Sequence, residues 1–335
     1  MEGEVFSCSI YDGRWLAAAG SIGGIFVYDV LNRVEIEQGK MGDGEVDTKS
    51  VQQRVIAFDR KVYNLETVEG ILFIAHDGGI CAMKWEEIVG SDGVPSIADV
   101  RGNHAKSGGG AFEVEVNAVS GVEGSSVVAF GGGDNSVLLF DIASWQQTGE
   151  MRGHAGFISS LDSTPSVVAS ASEDGTGRVW DIRSKDELQT FEPKSLLGTL
   201  PPSIANGSKY DWLGAISISE DGQWLAMGGG AGIVTTWQPS YKAVASAFAV
   251  NGAVHSLSFS LDGRVVAATS VGGIYQTSLS GEVLYKRQSG LLPAWSIGEA
   301  MLANGSKISV CSGGGTLIEV GMDGLLPSFS LRPRQ

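Results

Sequence analysis

The chain of 335 residues is short of several things at once: it has 9 prolines, 3 cysteines, 4 histidines, and 23 lysines and arginines against 38 acids. Each shortage narrows the reading. Cys8, Cys81 and Cys311 are odd in number, far apart and free of any CxxC pair, so no disulfide framework or structural zinc site is expected. Cys81 and Cys311 sit in apolar, strand-like runs, where cysteine acts as a small buried hydrophobe; this points to a reducing compartment. His76, His104, His154 and His255 show no metal-ligand spacing, and no metal or cofactor is expected. The net charge of −15 repels a polyphosphate, so direct nucleic-acid binding is not expected. Arg332 and Arg334 form the one small basic cluster and read as a solvated tail. The first residues lack a basic and apolar leader, and no apolar run nears the roughly 18 residues of a membrane helix. No helical periodicity is long enough to count.

What the chain has is glycine, 48 of them, at regular places. Seven turn points recur: Gly23-Gly24, Asp77-Gly78, Asp134-Asn135, Asp174-Gly175, Ala231-Gly232, Gly272-Gly273 and Gly314-Gly315. Each follows a run of small apolar residues, such as WLAAAG or VVASAS, and precedes another strand-like run, such as IFVYD or GRVWD. Tight hairpins need positive φ, which Gly, Asn and Asp adopt cheaply. Three further turns, Asp12-Gly13, Asp221-Gly222 and Asp262-Gly263, precede the second strand of their units. The arrangement is a meander of antiparallel strands.

The stretch Gly153–Asp181 is the clearest unit. A Gly-His pair opens it, a Trp-Asp pair closes it, and a Ser-x-x-x-Asp-Gly turn lies between, which is the signature of one WD40 propeller blade. A blade cannot fold alone. The turn points at 24, 78, 134, 174, 231, 272 and 314 lie 54, 56, 40, 57, 41 and 42 residues apart. The short spacings match a repeat of about 40–45 residues, and the long ones carry about 15 more. The expected fold is therefore all-β, a single seven-bladed WD40 propeller of four-stranded antiparallel blades over residues 1–335. Polar surface insertions are expected near 37–53, 90–111 and 192–209. The first inner strand is expected at Val5–Ile10 and the last outer strand at Pro327–Arg332. Ring closure would then rest on packing alone, or on a segment preceding Met1.

In the fourth blade, His154, Ser170, Asp174 and Trp180 occupy the four positions of the WD40 hydrogen-bonded tetrad. A Ser170 in mid-strand, packed and without oxyanion donors, argues for a structural network and against a catalytic triad. Other blades depart from the pattern: Tyr28-Asp29, Lys84-Trp85, Phe140-Asp141 and Trp237-Gln238 replace Trp-Asp. Gly177 lies inside a strand of the fourth blade and is expected to weaken it. The glycine clusters 131–133, 228–230 and 313–315 lack a following Gly-Lys-Ser/Thr and open no helix, so close strand packing explains them better than phosphate binding. No acidic pair stands out for glycoside chemistry.

Several ordered stretches go beyond the generic repeat: Ile80–Trp85, Val116–Val119, Phe130–Asp134, Glu150–Ile158, Ala171–Arg183, Trp212–Ile216, Ala226–Gly230, Thr236-Trp237 and Ser328–Leu331. Through them the chain resembles the THO complex subunit 6 family, whose complex, TREX, couples transcription to mRNA export. Members of that family usually begin earlier. The resemblance implies a non-catalytic scaffold at the periphery of a nuclear assembly, contacting other THO subunits, especially 5 and 7. It also implies a nuclear location, reached together with partners because no import segment is visible.

Two other functions compete. Val168–Arg183 resembles the box of WD40 substrate receptors of cullin-4 ubiquitin ligases, in which Asp181 and Arg183 would help dock the adaptor; a surface ion pair of Arg183 is the plainer reading. A propeller enzyme would instead gather acids, histidines or a metal in the central channel, where a scaffold would show small residues. For a scaffold, Phe157, Trp145 and Trp212, at borders of loops and strands, are the candidate partner contacts, although aromatics in strands are more often buried.

Overall fold

The computed structural model describes residues 3–21, 23–37, 52–90, 93–100, 114–198, 200–201, 211–315, 317–322 and 327–331. The strands form seven antiparallel sheets of four strands each. Blade 1 holds β1–β4 (Val5–Tyr11, Trp15–Gly20, Ile25–Asp29, Gln52–Ile56) and blade 2 holds β5–β8 (Val62–Val68, Ile71–His76, Gly79–Lys84, Ala98–Asp99). Blade 3 holds β9–β12 (Val116–Gly121, Val127–Gly132, Ser136–Asp141, Gln146–Arg152), and blade 4 holds β13–β16 (Ile158–Ser163, Val167–Ser172, Gly177–Asp181, Glu187–Phe191). Blade 5 holds β17–β20 (Leu213–Ile218, Leu225–Gly229, Ile233–Gln238, Ala243–Ala249), and blade 6 holds β21–β24 (Val254–Phe259, Val265–Thr269, Gly273–Thr277, Val283–Gln288). Blade 7 holds β25–β28 (Ala294–Met301, Lys307–Gly313, Leu317–Met322, Pro327–Leu331). Six of the seven turn points of the sequence fall between the second and third strands of their blades, and the seventh, Gly272-Gly273, reaches the first residue of β23.

The first strand of each blade touches the first strand of the next, and β25 touches β1, so the inner strands make a ring around a channel. The molecule is a seven-bladed β-propeller. Because strands alternate in direction, the second-to-third turns and the connections between blades lie on one face, here called upper. The first-to-second and third-to-fourth turns lie on the lower face.

Two-sided burial explains the sequence of the second strands. β2, β10, β14, β18, β22 and β26 are buried along almost their whole length, because a neighbouring blade covers each face. Such strands read as runs of Ala, Val, Ile and Gly without alternation. The apolar clusters accordingly join neighbours. Ala169, Val179 and Phe191 of blade 4 pack with Ile216, Leu225 and Met227 of blade 5. The closing seam is built the same way, from Val5, Leu16, Phe26 and Tyr28 with Ile308, Val310, Ile318 and Phe329. One backbone bond, Ala303 N–H to the Gly13 carbonyl at 2.9 Å, spans this seam on the lower face. Among the described residues, blade 7 takes no strand from the beginning of the chain. Its outer strand is Pro327–Leu331, and Arg332 of the expected range lies outside the described residues.

Polar side chains bind the inner ring. Ser7, Asn64, Ser160 and Ser256 each accept a backbone N–H from the next inner strand, from Leu65 (3.1 Å), Val119 (3.0 Å), Ile216 (3.3 Å) and Ile297 (3.2 Å) respectively. An inner edge strand would otherwise leave such donors without protein partners.

Two expectations need correction. Two helices interrupt the meander: α1 (Val30–Glu37) and α2 (Trp85–Gly90) follow the third strands of blades 1 and 2. Asp29 starts α1 by accepting the Asn32 N–H at 3.0 Å, and Val30 and Val34 bury its one apolar face. Trp85 and Ile88 do the same for α2. Each helix shows only one or two turns of periodicity, too few to be read from sequence. Secondly, Gly177 is not a flaw in β15. A Cβ there would overlap the sulfur of Met227 in blade 5, so the glycine makes room for a neighbour. Blade 2 is four-stranded as expected, with a short outer strand, Ala98–Asp99. The segments near 37–53, 90–111 and 192–209 lie largely outside the described residues; a short 3-10 helix, Pro193–Leu196, falls within the last. The glycine clusters sit where strands approach closely: a Cβ on Gly132, Gly229 or Gly313 would strike the carbonyl of Glu115, Trp212 or Pro293.

Replacing Gly177 by valine overpacks this seam and should destabilise the protein by about 1–3 kcal/mol in urea unfolding. Combining it with Met227→Ala should recover part of the loss, which a defect confined to strand propensity would not allow.

Candidate functional site

His154 precedes β13, Asp174 sits in the β14–β15 turn, Ser170 lies in β14 and Trp180 in β15. The His154 Nδ1 lies 2.9 Å from Asp174 Oδ2, and its Nε2 lies 2.8 Å from Ser170 Oγ. The Trp180 indole N–H donates to the same Ser170 oxygen at 2.8 Å. An ionised Asp174 can only accept, so Nδ1 carries the ring proton, and Ser170 donates to Nε2 while accepting from the indole. Asp174 also accepts from the Ala155 N–H (2.9 Å) and the Thr176 hydroxyl (2.6 Å). Burial opposes its charge, but the bonds from His154, Thr176 and Ala155 outweigh burial and hold the carboxyl well below the usual range. Ser170 is wholly enclosed, so no substrate can reach it. The network ties the upper connection of blade 4 to its hairpin.

Other blades keep the indole bond with a changed partner. Trp85 donates to the Thr67 hydroxyl (3.0 Å) on β5, and Trp237 donates to Thr235 (2.9 Å) on its own strand. In blade 3, Asp134 serves its own turn through Ser136.

The candidate surface residues separate between the faces. Phe157 and Trp212 directly precede β13 and β17 on the upper face. Phe157 is 44% exposed, and Trp212 is half-buried and lines the channel. Trp145 lies in the third-to-fourth turn of blade 3, on the lower face, with its ring edge against Phe140 at 5.2 Å. Asp181 and Arg183 lie in the equivalent turn of blade 4. The Asp181 carboxylate accepts from the backbone N–H groups of Arg183 (2.9 Å) and Ser184 (2.7 Å), so it shapes its own turn. Cys81 and Cys311 are buried and Cys8 is half-buried beside the channel; burial pushes the Cys8 and Cys81 thiols up to about 12, and that of Cys311 higher still.

The central channel has a volume of about 860 Å³. Each inner strand carries a β-bulge one residue from its start. In blade 1, Val5 pairs with Gly20 and Ser7 with Ala19, so Phe6 is left over. The same skip leaves Tyr63, Asn117, Ser159, Gly214, His255 and Trp295 in the other six blades. All seven line the channel near the upper face. A bulge re-aims its extra residue, and here it builds a collar. Four successive members form a continuous arc: His255 stacks on Trp295 (4.2 Å), Trp295 meets Phe6 edge-on (5.2 Å), and Phe6 lies parallel to Tyr63 (6.3 Å). The rest of the collar is Asn117, Ser159 and Gly214.

Three residues further along, the inner strands present Ser9, Glu66, Ser120, Asp162, Ser217 and Ser258 to the same channel. Sequence reading found no acidic pair, because Glu66 and Asp162 belong to different blades; the shared offset from the bulge is the signal that locates them. The Asp162 carboxylate accepts from Ser217 Oγ (2.8 Å) and from the N–H groups of Ile218 (2.9 Å) and Ser163 (2.8 Å), which joins blade 4 to blade 5. Burial raises its pKa nonetheless. Burial first, and then the charge of Asp162, push Glu66 up to about 8. The channel thus holds both small hydroxyls and acids. Among the described residues no group of three or more His, Cys, Asp or Glu could hold a metal ion.

A ring of seven four-stranded blades with a Trp–Ser–His–Asp lock defines a WD-repeat propeller. Residues 145–181 match the family described as WD domain, G-beta repeat; this span runs from the turn before β12 to the end of β15, one outer strand and the three strands after it. The chain is similar to THO complex subunit 6 homologues in several species. It is 26% identical to human THO complex subunit 6 over 284 residues, 83% of this chain and 77% of that protein. The zebrafish THO complex subunit 6 homolog is 24% identical over 74% of this chain and 72% of its own length. The fission yeast pre-mRNA-splicing factor cwf17 is 31% identical over a shorter stretch, 34% of this chain and 29% of its own. The family resemblance read from the ordered stretches therefore holds.

Removing a member of the tetrad leaves buried polar atoms without partners. Ser170→Ala should cost about 1–3 kcal/mol in chemical denaturation. The stability that Asp174 supplies is present above the ordinary carboxylate pKa near 4 and is lost as the pH falls. The gap in unfolding free energy between the native chain and Asp174→Ala should therefore narrow below about pH 4. Glu66 behaves oppositely. It keeps its proton in the folded state up to about pH 8, so the native chain loses stability as the pH rises from about 4 towards that value. Glu66→Gln should flatten this decline, which urea unfolding across that pH window will show.

Proposed function

We propose that this protein is a non-catalytic WD-repeat subunit of a THO/TREX assembly. It would act as a scaffold for protein contacts in mRNA processing and nuclear mRNA export. The observation that carries the reading is similarity to THO complex subunit 6 along 83% of the chain, in register with a WD-repeat propeller. The chemistry is in keeping with it. The tetrad serine is sealed, and Asp162 is engaged in joining two blades. A net charge of −15 favours protein partners over RNA. Other THO subunits, with subunits 5 and 7 foremost, are the partners this reading names, and the nucleus is the location. All 335 residues are assigned to one propeller, with the polar segments as insertions. Nothing among the described residues favours docking of a cullin-4 adaptor through Asp181 and Arg183.

Affinity purification of the tagged chain from nuclear extract, with and without RNase, tests the proposal. Recovery of THO subunits despite RNase is expected; their absence in both conditions overturns it. Phe157, exposed on the upper face, is the first contact to probe. Phe157→Ala should reduce recovery of THO subunits while leaving the melting temperature nearly unchanged. A lower melting temperature would assign the ring to the core instead.

A further inference from the structure

The collar is asymmetric, and its chemistry defines a ligand. We infer that it receives an arginine side chain from an extended segment of a partner protein, and that Lys61 occupies the place until such a side chain displaces it. This goes beyond membership of any particular assembly.

The first support is that the rings already hold a cation. The Lys61 ammonium lies over two of them, 5.1 Å from the centroid of Phe6 and 4.9 Å from that of Tyr63. The faces of aromatic rings attract cations, and more strongly where water is scarce. Lys61 itself is exposed and hangs on a flexible stem, so moving it aside costs little.

The second is the sign of the field. Glu115, Asp162 and Glu299 line the channel together with Glu66, which is neutral because it keeps its proton. Lys307 pairs with Glu299 at 2.7 Å, and among the described residues Lys61 is the only lysine or arginine of the lining. An anionic ligand meets repulsion there, and a cationic one is drawn in.

The third is the set of unused polar atoms. Asn117 Oδ1 and His255 Nδ1 are buried without hydrogen-bond partners, as is Trp295 Nε1. Burial keeps His255 towards its neutral form, and the ring bonds the backbone of Ala294, which leaves Nδ1 as an acceptor. A guanidinium offers five donors and no acceptor, which suits Asn117 and His255. The Trp295 N–H would take a backbone carbonyl of the same segment. A planar, weakly hydrated guanidinium also stacks on rings better than an ammonium does, which is why arginine rather than lysine is the ligand. Opposite the arc stand Ser159 and Gly214, the latter with the Trp212 ring packed against it.

The test uses the full chain and three blocked pentapeptides, Gly-Gly-X-Gly-Gly, with X as arginine, lysine or citrulline. Citrulline has nearly the shape of arginine without its charge. Binding is followed by ligand-observed NMR titration. The arginine peptide should bind about tenfold more tightly than the citrulline peptide, and more tightly than the lysine peptide. Lys61→Met, which removes the resident cation at an exposed position, should strengthen arginine binding several-fold. Phe6→Leu should weaken it about tenfold with an unchanged circular-dichroism spectrum. Citrulline or lysine binding as tightly as arginine overturns the inference, and so does failure of Lys61→Met to bind the arginine peptide more tightly than the native chain. The isolated chain is titrated, so the result is separate from whether THO subunits co-purify.

Discussion

Every blade depends on its neighbours for the burial of both faces. A four-stranded sheet with an apolar second strand on each side has no stable solitary form in water, and fully burying one valine or leucine contributes about 1.5–3 kcal/mol. The apolar clusters therefore cross from blade to blade. Ala169 and Val179 meet Ile216 and Met227, and Val5 and Leu16 meet Ile308 and Val310. This constraint accounts for the small residues of the second strands, for Gly177 beneath Met227, and for glycines where an inner strand crosses its partner. It also accounts for closure. Among the described residues the last seam is the same kind of interface as the others, joined by apolar fit, ring contacts such as Phe6 with Trp295, and the Ala303–Gly13 backbone bond.

Hydrogen bonding adds direction to that packing. Ser7, Asn64, Ser160 and Ser256 capture donors of the following inner strand and so set the height of one blade against the next. The tetrad of blade 4 works within a blade, fixing an upper connection to a hairpin. Only blade 4 has all four of its members, whereas blades 2 and 5 retain an indole bond to a threonine. The apolar clusters between blades are present at every seam, whether or not a blade keeps the tetrad.

The same geometry makes the channel chemically uneven. One bulge per blade turns one residue per blade towards the upper mouth, and the four aromatic or imidazole side chains fall together in blades 6, 7, 1 and 2. They therefore bracket the closing seam, where the two ends of the ring meet. An arc of rings facing Asn117, Ser159, Gly214 and the single ring of Trp212 is a surface with orientation. Asp162, deeper in the channel, adds a negative charge behind it.

Local chemistry made much of this legible. The turn glycines and aspartates, the runs of small apolar residues and the Gly-His to Trp-Asp unit depend on neighbours in sequence, so seven blades and the residues of the blade 4 tetrad could be read directly. The ordered stretches likewise carried the family resemblance. The two short helices could not be read, since Val30 and Val34, or Trp85 and Ile88, make too little periodicity to distinguish from strand. Gly177 reads as a weakness until Met227 of the next blade is seen above it. Phe6, Tyr63, His255 and Trp295 look like four unrelated aromatic positions, and Glu66 and Asp162 like two isolated acids. Strand register places them in one channel, and register follows from the fit between sheets, which brings together residues hundreds of positions apart. Turn and strand identity were thus determined by the sequence, while the collar and the acid pair were decided by tertiary structure, because their meaning lies in a pairing offset that no single segment contains.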